Sequence, residues 1–115
     1  MEELIIYKKY LDLMYYSNNL LKKYPKSERY CLVGNINTIK YKIMENIINS
    51  YKEKNKQLKL KLLNEIDTNL KILKVYVRIS YKYKYININN YSAYSKKITN
   101  ISNLLGGWIS SCLRQ

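Results

Sequence analysis

The stretch that decides the fold is LKILKVYVRISYK, residues 70–82. Within and just before it, apolar side chains recur at steps of three and four residues, which places them on one face of a helix. The members of this apolar stripe are Leu63, Ile66, Leu70, Leu73 and Val77. The stretch therefore predicts a long amphipathic helix that packs one face against a core.

Basic side chains follow the same helical steps, one residue further along. They form a set that we term the basic stripe, which consists of Lys71, Lys74, Arg78 and Lys82. Because successive residues turn by about 100° around a helix, this stripe lies beside the apolar stripe and not opposite it. We expect one side of the helix to pack into the core and the neighbouring side to offer positive charge to a partner.

The segment from Val75 to Ile88 also fits a β-strand, because its residues alternate with a period near two and mostly favour strands. A lone strand among helices has no partner for its backbone hydrogen bonds, so we predict a helix and leave its exact end open. The alternation of tyrosine and lysine at 81–85 offers one alternative, a platform on which single-stranded bases stack. Since lysine and tyrosine are abundant throughout the chain, we prefer the helix end.

Three further helices are predicted from the same spacing. The first runs from Glu2 to about Lys23, because Pro25 pushes the preceding residue out of the α region. The second runs from there to about Lys54, and the last follows the turn-forming asparagines at 87–90. The expected core positions are Ile6, Tyr10, Leu13, Leu20 and Tyr24 in the first, Leu32, Ile36, Ile39, Ile43, Ile47 and Tyr51 in the second, and Tyr91, Tyr94, Ile98, Ile101, Leu105, Trp108 and Cys112 in the last.

Glycine lies inside two of the predicted helices, at Gly34 and at Gly106-Gly107. The apolar spacing continues past the second pair through Trp108, so we expect the helix to continue there also. At both places we expect close contact with another helix. Together the segments predict an all-α protein with a single domain over residues 1–115, folded as an up-down-up-down four-helix bundle.

Charge is distributed unevenly along the chain. The protein has 21 basic and 8 acidic residues, and its net charge is +13. Residues 68–115 contain 8 basic side chains and no acidic one. A segment of this length whose charged side chains are all positive favours a polyanionic partner, with nucleic acid ahead of a membrane surface. A chain with no partner at all stays open as an alternative.

Several classes of function are disfavoured by what the chain lacks. Without histidine, imidazole-based metal sites and histidine acid–base catalysis are excluded. No carboxylates pair at helical spacing on a basic face, so a metal-dependent nuclease is disfavoured. Cys31 and Cys112 lie far apart and predict buried free thiols. The start at Met1 is unlike a signal peptide, and no apolar run approaches about 20 residues. We therefore expect a soluble, cytoplasmic protein that is not an enzyme and uses no metal or cofactor.

Three motifs resemble one known family in the same order along the chain. YPKSERY at 24–30 is similar to the aromatic-Pro-Lys-x-Glu-Arg start of helix two, and LKILKVYVR at 70–78 to a helix-three segment with basic residues four apart. LLGGW at 104–108 is similar to a closing Leu-Gly-Gly/Ser-Trp signature. The family contains the accessory variability determinant (Avd) proteins of diversity-generating retroelements. It also contains proteins encoded in intervening sequences of bacterial 23S ribosomal RNA genes.

The resemblance implies a homopentameric, barrel-like ring of four-helix bundles with no catalytic activity of its own. It implies a basic surface that engages a reverse transcriptase and nucleic acid (template RNA or cDNA) to support mutagenic retrohoming. Lys74 and Arg78 match the family's basic positions in helix three, and we extend the site to Lys71 and Lys82 along the same stripe. The alternatives are an intervening-sequence-type protein of unassigned role, a generic nucleic-acid-binding helical oligomer, and a purely structural oligomer.

Overall fold

Four long helices joined by short connections form the protein in a computed structural model, which describes residues 2–115. The helices are α1 (Glu2–Leu21), α2 (Leu32–Lys52), α3 (Lys56–Lys82) and α4 (Ile88–Leu113), and a short 3₁₀ helix, Lys26–Glu28, precedes α2. The described residues contain no strand. This confirms the all-α class and the helical interpretation of the segment that begins at Val75.

The helices pack around a square, so that each described helix contacts its two neighbours in the order α1, α2, α3, α4 and back to α1. Short connections make successive helices run in alternating directions, which gives the up-down-up-down bundle that the sequence predicts. Because the directions alternate, the α1–α2 and α3–α4 connections lie at the same end of the bundle. A pentameric ring stays a prediction.

The core is built from the apolar stripes that the spacing predicts. All five members of the α3 stripe are fully buried. The positions predicted for the first helix are also buried, as are six of the seven in α4, with Tyr91 partly covered. Removing this apolar surface from water is the main term that stabilises the bundle. No helix in the described part of the chain has an apolar run long enough to cross a membrane.

Helix α2 departs from its predicted stripe. Tyr51 is 56% exposed and Ile39 is half-buried, whereas the side chain of Lys40 is fully buried. The predicted core position is therefore wrong at Tyr51. At Ile39 the prediction is displaced by one residue, because the fully buried side chain is that of Lys40. The lysine is tolerated inside because α1 supplies acceptors to its ammonium group: Ser17 Oγ at 3.0 Å and the side-chain oxygen of Asn18. A buried charge is otherwise costly.

Lys40 belongs to a buried polar cluster, which we define as Tyr10, Ser17, Lys40 and Tyr94. The Tyr10 hydroxyl donates to the backbone oxygen of Lys40 at 2.6 Å, and the Tyr94 hydroxyl donates to Ser17 Oγ at 2.5 Å. The cluster thus joins α1, α2 and α4. Burial lowers the pKa of Lys40 to about 8 and raises the pKa of Tyr10 and of Tyr94 above the usual tyrosine value.

Gly34 and Gly106 are not the close contacts with another helix of the bundle that the sequence suggests. A Cβ added to Gly34 would lie 3.2 Å from the backbone oxygen of Arg29, which belongs to the turn before α2 and not to another helix. At Gly106, no described atom outside the local helix backbone would lie within 4 Å of such a Cβ. Helix α4 does continue past this position to Leu113, as the spacing predicts.

The end of α3, which the sequence leaves open, is closed by a Schellman motif. The Tyr85 amide donates to the backbone oxygen of Ser80, and the Lys84 amide donates to that of Tyr81, both at 2.9 Å. Lys84 takes the left-handed conformation, with φ of 66°, at the position where glycine is usual. Asn87 then caps α4, because its side-chain oxygen accepts the amide of Asn90 at 2.7 Å.

The two cysteines are free thiols, as predicted, but only one of them is buried. Cys112 lies in the core on α4, whereas Cys31 is exposed. The prediction of burial is wrong for Cys31 because this residue lies in the turn before α2, outside the packed part of the bundle.

Candidate nucleic-acid interface

The basic stripe lies on the exposed surface of α3 beside α4. All four of its side chains are exposed: Lys71, Lys74, Arg78 and Lys82. The core residues Leu70, Leu73 and Val77 hold the adjoining face of the helix in the bundle. With a rise of 1.5 Å per residue, the stripe extends for about 16 Å along α3. The structure thus brings the four predicted residues together, and their role stays a prediction.

Helix α4 contributes to the position of Lys74. The ammonium group donates to Thr99 Oγ1 at 3.1 Å, so this part of the stripe lies at the seam between α3 and α4. Both side chains are exposed, so a phosphate can replace the hydroxyl as the acceptor without burying either group. Hydroxyl and ammonium groups side by side are common partners of phosphate oxygens.

Lys71 differs from the rest of the stripe because it has an acidic partner. Its ammonium group lies 2.6 Å from the Asp67 carboxylate, and this is the only ion pair among the described residues. Asp67 is also the last acidic side chain in the sequence. The charge of Lys71 is therefore partly neutralised, whereas Arg78 and Lys82 make no ion pair within the described part of the chain.

The substitution Asp67→Asn is expected to strengthen RNA binding. It releases Lys71 and removes a repulsive charge, and an exposed ion pair is worth up to about 1 kcal/mol, so the affinity should rise roughly two- to fivefold. Fluorescence anisotropy with a labelled RNA at low salt measures the change. Glu45→Gln, an equal change of charge at an exposed position on α2, is the control. An equal gain in both variants would show that net charge alone matters and would contradict a role for Lys71.

The second half of the stripe adjoins an apolar groove. Val75 and Ile79 line this groove together with Arg78 and Lys82, and Val75 is 56% exposed. Cations beside apolar groups can hold a phosphate and a flat or aliphatic surface at the same time. No three or more Cys, Asp or Glu side chains among the described residues come close enough to hold a metal ion.

A second basic surface lies at the end of the bundle where the α1–α2 and α3–α4 connections meet. We term it the end cleft; it is lined by Lys23, Tyr81, Lys82, Lys84, Tyr85, Ile86, Asn87 and Asn90. Lys82 is common to the cleft and the stripe. The sequence prediction named the tyrosine–lysine run but not Lys23 or the asparagines as a site. The alternating helix directions are the signal that could have placed Lys23 beside residues 81–87.

These features define a class, the small four-helix bundle with a strongly basic surface along one helix. The chain belongs to the bAvd-like family, whose family model matches residues 4–112. The resemblance stated from the three sequence motifs is thereby confirmed at the level of the family.

The fold is similar to that of a protein whose structure has been solved. It is a protein of unknown function from the S23 ribosomal protein family of Bacteroides thetaiotaomicron, which is 16% identical to this chain and superposes with a TM-score of 0.84. The match covers 96% of this chain and 99% of that one. At this identity the likeness shows the fold alone. No curated protein matches the sequence.

Proposed function

We propose that this protein is a non-catalytic accessory subunit of a diversity-generating retroelement. In this proposal the basic stripe binds the reverse transcriptase of the element and its nucleic acid, the template RNA or cDNA, and so supports mutagenic retrohoming in the cytoplasm. The observation that carries the proposal is an exposed, four-residue stripe of one sign on α3 in a chain that belongs to the bAvd-like family. The family supplies the biological setting and the stripe supplies the binding surface.

The physical chemistry of the stripe suits a partner that is recognised by its charge. Binding to phosphates releases counterions, is largely independent of base sequence and weakens steeply with salt. In the homopentameric ring that we propose, five copies of the stripe would act together through their effective concentration. The groove at Val75 and Ile79 adds exposed apolar surface beside Arg78, a combination that suits a protein partner such as the polymerase.

The first test is the DNA on either side of the gene. A reverse transcriptase gene next to a pair of template and variable repeats is the expected result, and that polymerase should then co-purify with this protein. Light scattering should give a particle of five times the 13.8 kDa subunit mass. A folded protein that fails to bind the neighbouring polymerase and its RNA would overturn the proposal.

A second candidate is supported by the solved structure from the S23 ribosomal protein family. In this case the protein is of the type encoded in intervening sequences of 23S ribosomal RNA genes. It would share the bundle and the charge but would not bind a reverse transcriptase. A location of the gene inside a 23S ribosomal RNA gene would favour this candidate over the first.

A further inference from the structure

We infer that the end cleft binds an unpaired nucleotide of a single-stranded nucleic acid, with its base stacked on Tyr81 and its phosphate held by Lys23, Lys82 and Lys84. The inference rests on the proposed function, because it assumes a nucleic-acid partner. It goes further by assigning a second site and by making single strands, and not duplexes, the preferred ligand. Three properties of the cleft carry it: its charge, its aromatic wall and the conformation of Lys84.

The charge of the cleft is entirely positive. Lys23 follows α1, Lys82 ends α3, and Lys84 lies in the connection to α4, and all three side chains are exposed. None of them makes an ion pair among the described residues, and no carboxylate lines the cleft. The carboxylate of Glu28 does not line the cleft but accepts a hydrogen bond from the hydroxyl of Tyr85, which does.

Both oxygens of Glu28 are already engaged, so this carboxylate does not neutralise the lysines of the cleft through a direct contact. One oxygen accepts the Tyr85 hydroxyl at 2.8 Å and the other accepts the Leu32 amide at 3.3 Å. The first of these bonds raises the pKa of Tyr85, which keeps its hydroxyl protonated as a donor. A phosphate in the cleft therefore meets lysines that have no competing acidic partner there.

The aromatic wall of the cleft is already formed. The rings of Tyr81 and Tyr91 are stacked, with centroids 4.7 Å apart and planes only 10° from parallel. Tyr81 remains 38% exposed and lines the cleft, so part of its side chain is open to a ligand there. The ring of Tyr85 is held by its bond to Glu28 and by contact with Tyr24, at 5.3 Å between centroids. Rigid aromatic walls reduce the entropy lost on binding.

Lys84 has a backbone conformation that the fold alone would assign to glycine. Its φ of 66° lies in the left-handed region, which costs a residue with a Cβ about 1 kcal/mol or more. Strained backbone of this kind persists where the surrounding structure holds it, and it clusters at functional sites. Here the side chain brings an ammonium group to the lining of the cleft. A binding role for this ammonium group would account for a lysine at a position that favours glycine.

The cleft continues the basic stripe. Lys82 lines the cleft and also lies one helical turn from Arg78, so a strand whose phosphates follow the stripe arrives at the cleft. The bases of a duplex are paired and stacked on each other, and a protein aromatic ring cannot reach their faces without unpairing them. An unpaired base offers its face directly. The stacking contact on Tyr81 should therefore add affinity for a single strand and none for a blunt duplex.

The test compares a labelled oligouridine RNA with a blunt RNA duplex of equal length, measured by fluorescence anisotropy on the full chain. Tyr81→Leu keeps an apolar side chain but removes the ring, and it should weaken oligouridine binding roughly 5- to 100-fold, since one stacked base is worth about 1–3 kcal/mol. Its affinity for the duplex should not change. Tyr51→Leu, at a tyrosine that is 56% exposed on α2 near the opposite end, is the matched control.

Lys84→Gly keeps the inference testable if Tyr81→Leu perturbs the fold. It removes the charge and relieves the left-handed backbone, so the variant should be more stable than the parent while it binds oligouridine several-fold more weakly. The slope of log affinity against log salt should fall by about 0.7, the value for one phosphate contact on a single strand. Lys54→Gly, in the connection at the other end of the bundle, should leave the binding unchanged.

The outcomes separate this inference from the proposed function. If the cleft variants bind oligouridine as the parent does, or if Tyr81→Leu loses oligouridine and duplex binding equally, the inference is overturned. If Lys74→Glu with Arg78→Glu abolishes binding while the cleft variants have no effect, the role of the basic stripe is supported and the role of the end cleft is contradicted. If the cleft variants selectively lose oligouridine binding while the stripe variant binds normally, the role of the end cleft is supported and the role of the basic stripe is contradicted. A parent protein that binds neither probe would overturn both.

Discussion

Lys74→Glu combined with Arg78→Glu is expected to weaken RNA binding by more than about a hundredfold, because each charged hydrogen bond to a phosphate is worth about 1.5–3 kcal/mol. The two residues lie one turn apart at the centre of the basic stripe, and both side chains are exposed. Their reversal also introduces repulsion, since each glutamate would face the phosphates that the parent residue contacts. The loss should be largest at low salt, and the slope against log salt should fall by about 1.4 for two contacts on a single strand.

The fold should survive this double substitution. Neither side chain belongs to the core, and Lys74 gives up only an exposed hydrogen bond to Thr99, which a glutamate can accept in its place. Circular dichroism checks the helix content, and anisotropy over a range of salt concentrations gives affinity and slope. Lys42→Glu with Lys52→Glu, two exposed positions on α2, makes the same change of net charge elsewhere. Equal losses in the two double variants would show that the stripe is not a specific site.

Lys40→Met is expected to remove a rise in stability between about pH 8 and pH 10 that the parent protein shows. Below pH 8, Lys40 is charged in both states and the folded state bears the cost of burying the charge. Between the folded pKa of about 8 and the ordinary value of 10.5, the unfolded chain holds a proton that the folded protein has released. The free energy of unfolding therefore increases with pH in this window, by about 2–3 kcal/mol in total.

The rise should stop near pH 10. Above that pH, Tyr10 and Tyr94 ionise in the unfolded chain but stay protonated in the core, because burial raises the pKa of each. Stability should then fall with further increase in pH. Urea unfolding at a series of pH values measures the curve, and Lys42→Met, at an exposed position on the same helix, should keep the rise. Parallel curves for the parent and Lys40→Met would show that the buried ammonium does not titrate as its burial requires.

The long helix α3 shows how far apolar spacing determines the fold. Its five-residue core stripe and its exposed basic stripe both follow from steps of three and four, although residues 75–88 favour strands by composition. The segment is helical up to Lys82 because a helix buries its apolar face in the core of the bundle. A strand there would have no neighbouring strand to pair with its backbone N–H and C=O groups. Sequence spacing could not locate the end itself, because the residue that closes the helix is Lys84 and not the expected glycine.

The buried polar cluster and the end cleft could not be predicted from sequence spacing, and the reason is the same for both. Both depend on groups brought together from different helices or connections. At 39–40 a pattern based on hydrophobicity selects Ile39, since nothing local reveals that Ser17 and Asn18 will meet the ammonium of Lys40. In the same way, Lys23 joins the cleft from a connection about 60 residues away in the chain.

The buried ammonium of Lys40 also fixes the axial register of the bundle. Because leucine and isoleucine differ little in size, an apolar core alone discriminates only weakly against a slip of one helical turn, about 5.4 Å, between neighbouring helices. Such a slip of α1 would remove Ser17 from Lys40 and from Tyr94 at once and leave a charge in the core without its acceptors. The lysine therefore opposes axial sliding of α1 relative to α2 and α4. Because the cluster joins α1, α2 and α4, it sets the relative height of these three helices and with it the height at which α4 presents Thr99 on the outer surface.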